Sequence, residues 1–190
     1  QYLYPEFRLY QALLERAGWR VAIADPVDLT IADAAVWLGG ERIDLVYNRV
    51  TDFYLAEDRH SVLRQAYESD LAVVTPHPAA HARWADKRLL AWLGDESLLT
   101  EAGLDADERV HLRQAIPATE VVEPAAADDL WRRRKGLFFK PVDGFGSRAA
   151  YRGDKLTRAT FEHIMAHRYV AQAIAPTSLR RIATDDGAEA

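Results

Sequence analysis

Lys140 closes a short apolar run, Leu137-Phe138-Phe139, and leads into Pro141-Val142-Asp143-Gly144-Phe145-Gly146-Ser147-Arg148. The run predicts a buried strand that delivers one lysine, then a glycine-containing turn, then a second short strand through Tyr151 and Arg152. A lysine fixed at a strand end, beside backbone N–H groups freed by glycine, is suited to holding anionic phosphates. An ordinary β-hairpin with a surface lysine fits the same residues. Lysine is scarce elsewhere. Of 24 Lys and Arg residues, only Lys87, Lys135, Lys140 and Lys155 are lysines. A lysine retained against that drift points to a need for the compact ammonium head, which the planar guanidinium does not imitate.

The elements that must position these residues alternate in type. Phe7, Tyr10, Leu13, Leu14 and Ala17 fall at helical spacing before Gly18, and Trp19 to Ala24 reads as a short strand. Ala35 to Ile43 has the form of a hairpin around Gly39-Gly40. Asp44 to Tyr47 and Leu71 to Thr75 read as buried strands separated by a helix with Val62, Leu63, Ala66 and Tyr67. Strands alternating with helices imply a mostly parallel sheet, whose ligands gather at the carboxyl ends of its strands. That puts Asn48, Arg49, Asp52, Thr75 and His77 near one rim. A strand-end cap and a surface ion pair are the plainer reading of Asn48, Arg49 and Asp52.

Beyond Pro78, residues 79–93 predict one helix with Ala85, Leu89, Trp92 and Leu93 on its buried stripe. Lys87 then lies about 200° round from Ala85, as a solvated surface lysine would. Residues 95–115 read as helical and acidic, and residues 117–122 as a strand entering a second region. Another helix spans 124–134, its basic run Arg132 to Lys135 suiting a helix end. Thr157 caps a helix carrying Phe161, Ile164 and Met165. Tyr169 to Ile174 forms a last strand before Pro176.

Bulk properties narrow the function classes. The 190 residues are enough for one large domain or two small ones. A net charge of −5 argues against broad electrostatic binding to nucleic acid. No apolar run approaches the roughly 20 residues that span a bilayer. The absence of cysteine excludes disulfides and thiolate metal sites, and suits a cytoplasmic protein. His163 and His167 share the i, i+4 spacing that can hold zinc, but lack a third ligand nearby. Pro78 interrupts the same spacing between His77 and His81. Trp19, Trp37 and Trp131 are candidates for exposed aromatics.

Five stretches in order resemble the ATP-grasp superfamily. They are Val73-Val74-Thr75-Pro76, Ala85-Asp86-Lys87, Ile116-Pro117-Ala118-Thr119, Phe139-Lys140-Pro141 with Asp143 to Arg148, and Tyr169 to Pro176. The similarity is greatest to glutathione-synthetase-like and circularly permuted members, over residues 70–176. It implies an α/β chain: a partial Rossmann-like pre-ATP-grasp domain (1–78), a helical connector (79–115), and an incomplete α+β ATP-grasp lid subdomain (116–190). It implies an ATP-dependent carboxylate–amine or thiol ligase acting through an acyl phosphate, with a nucleotide and a small carboxylate as partners. A non-catalytic nucleotide-binding or interaction module is the alternative.

By the same resemblance, Lys87 and Lys140 reach the nucleotide phosphates. Gly144, Gly146, Ser147 and Arg148 close over them, although relatives carry a richer glycine pattern there. Gln172, Ala173 and Ile174 read the adenine edge through backbone groups, and Asn48, Arg49 and Asp52 face the acceptor. Magnesium ions complete the site, on ligands expected beyond residue 190. The start at Gln1 and the polar tail from Ala183 read as an excised piece of a longer protein. Asp185 and Asp186, in that tail, are not assigned to metal.

Overall fold

The structure, a computed structural model, describes residues 3–177. The chain divides into two compact units, residues 1–83 and 84–190. Both mix helix and strand. Asp185 and Asp186 lie outside the described residues.

The first unit runs α1 (Tyr4–Arg16), β1 (Thr30–Ala32), β2 (Ala35–Leu38), β3 (Glu41–Ile43), β4 (Leu45–Tyr47), α2 (Ser61–Glu68), β5 (Val73–Thr75) and α3 (Pro78–Trp84). The expected Gly39-Gly40 hairpin is present, with Leu38 opposite Glu41. Both glycines hold positive φ, as a two-residue turn of matching twist requires. The mostly parallel sheet is not. Among the described residues only β4 and β5 pair in parallel, and β1, β2 and β3 form a separate antiparallel sheet. Trp19 to Ala24 joins no sheet among the described residues. The carbonyl of Val21 instead accepts a bond from Gln11 Nε2 at 2.9 Å.

Leu29, Val36, Leu55, Leu63, Ala66 and Val74 make the core of this unit. β4 is correspondingly one-sided. Val46 packs against that core, whereas Leu45 and Tyr47 are about 40 % exposed. The reading of a fully buried strand fails because a two-stranded sheet covers only one of its faces.

Asp52 organises the loop after β4. Its carboxylate accepts from Ala56 N–H at 3.0 Å and Glu57 N–H at 2.9 Å. It also meets His60 Nδ1 at 2.8 Å. Burial alone raises this carboxyl. The His60 and backbone bonds outweigh burial and bring it to about 2. An ionised carboxylate only accepts, so His60 Nδ1 donates. A folded value below the ordinary 3.8 stabilises the fold above pH 3.8, and that contribution is lost as pH falls through about 2. Asp52→Asn is therefore expected to cost about 2 kcal/mol at pH 7. The gap between variant and parent should close by pH 2 in denaturant titrations. An equal gap at both pH values would remove the charge from the account.

The second unit runs α4 (Arg88–Trp92), α5 (Glu96–Glu101), α6 (Ala106–Ala115), β6 (Thr119–Val121), α7 (Ala127–Arg133), β7 (Leu137–Pro141), β8 (Tyr151–Arg152), α8 (Arg158–Met165) and β9 (Tyr169–Ala173). Its strands lie in the order β6-β9-β7-β8, each neighbour antiparallel. Strand alternation separates two faces. Leu137, Phe139, Tyr169 and Ala171 face the core with Leu130, Phe161 and Ile164 of α7 and α8. Phe138, Lys140, Val170, Gln172 and Thr119 fall on the other face. Thr157 caps α8 as expected, accepting from Thr160 N–H at 3.2 Å.

Trp131 and Trp37 are half-buried, whereas Trp19 is exposed. Trp131 is stacked between two guanidinium groups, Arg134 at 3.8 Å and Arg158 at 3.7 Å from its ring centre. No helix among the described residues is long and apolar enough to cross a membrane.

Candidate functional site

Residues 79–93 are two helices, not one, and the break spans Ala85 to Lys87. Asp86 Oδ1 accepts from Arg88 N–H at 2.9 Å, a local side-chain bond that competes with a continuous helical ladder. Lys87 donates its own N–H to Val142 O at 3.1 Å. That bond ties it to the chain just after β7. The solvated helix face expected for Lys87 is replaced by a half-buried position beside the Lys140 strand.

Lys87 Nζ donates to Gly144 O at 2.8 Å. Burial lowers its pKa, and the Lys140 ammonium lowers it further, against the opposing pull of Asp143 and Asp86. Lys87 is thus held in the field of a second cation from a different element. Lys140 Nζ donates to Gln172 Oε1 at 2.6 Å and lies 5.6 Å from the Phe138 ring centre. Gathering two ammonium groups is unfavourable unless an anion joins them.

The loop from Asp143 to Ala150 is built of turns. Gly146 and Ser147 both have φ near +60°, and Arg148 N–H returns to Phe145 O at 3.2 Å. Ala149, at φ 53°, is left-handed too, and Ala150 N–H returns to Ser147 O at 3.3 Å. Ser147 and Ala149 therefore hold conformations more usual for glycine. A Cβ at Gly144 would sit 2.8 Å from Pro141 Cγ, so the proline ring would have to shift to admit one. Arg148 places its guanidinium 5.1 Å from the Phe145 ring centre.

Gln172, Ala173 and Ile174 are tied into the sheet. The N–H of Ala173 goes to Ala118 O at 2.7 Å, and that of Ile174 to Gly136 O at 2.9 Å. What these two residues could offer an adenine edge is a carbonyl acceptor, not an amide donor. The Gln172 side chain, buried at 8 % exposure, points to Lys140 and Thr119.

Asn48, Arg49 and Asp52 belong to the first unit, and each already has protein partners. Asn48 is buried. It donates through Nδ2 to Pro76 O at 3.2 Å and accepts from Val50 N–H at 3.0 Å, capping the strand end. Arg49 pairs with Glu6 at 2.7 Å, and Asp52 holds His60. Thr75 O accepts from Asn48 N–H, and His77 Nδ1 accepts from Ala80 N–H. His163 and His167 stack on each other 4.0 Å apart, with His167 Nδ1 against His163 O. No group of three or more His, Asp or Glu among the described residues could hold a metal ion.

Sequence reasoning gave no role to Thr119, which bonds Gln172, or to Asp143, whose charge acts on Lys87. The Thr-x-Val alternation of β6 was the only available signal for the first. Nothing local marked the second.

No protein-family model matches the chain, and no curated protein matches it. Among solved structures, two of the ATP-grasp ligase PsnB are similar. One is complexed with minimal precursor, Mg and ADP, and the other with a phosphomimetic variant of minimal precursor, Mg and ADP. Each is 19 % identical, with TM-scores of 0.36 and 0.37. The match covers 78 % of this chain and 52 % of theirs, so the chain spans about half their length. A likeness of this size carries neither fold nor activity across.

Proposed function

We propose that the chain is the nucleotide-binding part of an ATP-grasp-type ligase that joins a carboxylate to an amine or thiol. The observation that carries this reading is the convergence of Lys87 and Lys140. One comes from a helix break and the other from a strand, and Lys87, bonded to Gly144 O, lies in the field of the Lys140 ammonium. A triphosphate fits that arrangement because it supplies the missing negative charge to both ammonium groups. When bound, ATP supplies the phosphoryl group that activates a carboxylate for displacement.

The residues of this chain then bind and orient. Lys87 exchanges Gly144 O for a phosphate oxygen. Lys140 keeps Gln172 and offers its remaining N–H donors. Gly144, Gly146, Ser147 and Arg148 cover the phosphates, and the Ala173 and Ile174 carbonyls meet the base. Arg49 is the rim residue best suited to an acceptor carboxylate. Its side chain is 36 % exposed and pairs with Glu6 at 2.7 Å. Magnesium is assigned to no described residue.

The test is ADP formation, with a panel of carboxylates and amines, by the longest protein that carries this sequence, since the magnesium ligands are expected beyond residue 190. Acceptor-dependent ADP release that is abolished in Lys140→Ala supports the ligase. Release that survives Lys140→Ala unchanged refutes it. ATP binding without turnover across the panel favours a binding module.

A further inference from the structure

A directed chain of hydrogen bonds ends on Lys140. Thr119 Oγ1 lies 2.8 Å from Pro117 O. A carbonyl only accepts, so the hydroxyl spends its single proton there. Toward Gln172 it can then only accept, which calls for the amide NH2, and Nε2 stands 2.9 Å away. The Gln172 amide is thereby oriented with Oε1 toward Lys140 Nζ, at 2.6 Å. The reverse orientation would set the NH2 against an ammonium. Gln172 is 8 % exposed, so water offers little substitute for either partner. Strand register puts the three side chains on one face, with Thr119 and Phe138 both opposite Gln172.

We propose that Thr119, acting through Gln172, is a positioning residue for the Lys140 ammonium. Its effect on nucleotide affinity rests on the reading of Lys140 as a phosphate ligand, but the ordering of Lys140 does not. Lysine has a long flexible stem. Fixing one of its three donors beforehand lowers the ordering cost of binding an anion and leaves two donors to meet it.

The experiment uses the whole chain labelled with 15N-lysine. Four lysines give four ammonium signals, and Lys140→Arg assigns the one concerned. An ordered, slowly exchanging Lys140 signal is expected in the parent and in Thr119→Ser. In Thr119→Val it is expected to fall into fast exchange, with a cooperative melting transition retained at a lower midpoint because the buried Gln172 amide loses its acceptor. ATP affinity should drop about 5- to 10-fold in Thr119→Val and return in Thr119→Ser. Should Thr119→Val fail to fold, Gln172→Met tests the same link at nearly constant volume. A Lys140 ammonium as ordered in the folded variant as in the parent overturns the proposal. No ATP binding by the parent, with Lys140 order still following residue 119, rejects the phosphate role and leaves the positioning role standing.

Discussion

Lys140→Ala should weaken ATP binding about 100-fold, and Lys87→Met by a similar factor, while both variants remain folded. The size follows from losing one charge-assisted phosphate contact, worth about 3 kcal/mol. Lys87→Met carries a second expectation with the opposite sign. The folded-state pKa of Lys87 lies below the ordinary 10.5, through burial first and the Lys140 charge second. The charged form is therefore disfavoured by folding. That stabilising contribution exists above the ordinary lysine value and disappears as pH falls through the folded one. At pH 7 the ammonium opposes folding, offset in part by its bond to Gly144 O. A melting temperature equal to or above the parent's, with ATP binding lost, is the expected pair of results. A lower melting temperature with unchanged affinity would make Lys87 a purely structural residue.

Gly153→Ala should unfold the second unit. An added Cβ would lie 1.8 Å from Arg134 O, 2.7 Å from Arg134 C and 2.9 Å from Leu137 O. All three are backbone atoms, so no side chain can swing aside. The obstruction sits where the turn after β8 crosses the entry to β7, the strand carrying Phe139 and Lys140. Relief requires moving that strand against a close-packed core. The expected cost is above about 3 kcal/mol, beyond ordinary overpacking. Loss of the cooperative melting transition of the second unit is the readout. Retention of a normal transition would mean that the crossing is looser than its backbone distances indicate.

The local elements were legible where one physical rule dominated. The Gly39-Gly40 hairpin, the Thr157 cap and the β7–β8 pair follow from turn chemistry and alternation confined to a few residues. The parallel sheet was over-read. Alternating strands and helices suggest it, yet β1, β2 and β3 pair among themselves through short connections. Lys87 was misplaced for a related reason. Helical periodicity was carried through Asp86, whose carboxylate ends the ladder, and through a backbone bond to Val142, 55 residues away. The same long-range link brings Lys87 toward Lys140. The partners of Asn48 and Asp52 were illegible because Pro76 and His60 are specified by folding, not by spacing.

The central claim is that Lys87 and Lys140 hold one triphosphate, and ammonium NMR tests it directly. The 15N-lysine-labelled chain is titrated with ATP and magnesium. Lys87 and Lys140 are expected to shift together with one midpoint, while Lys135 and Lys155 stay in place. Four unmoved signals at millimolar ATP, or shifts confined to Lys135 and Lys155, would contradict the account.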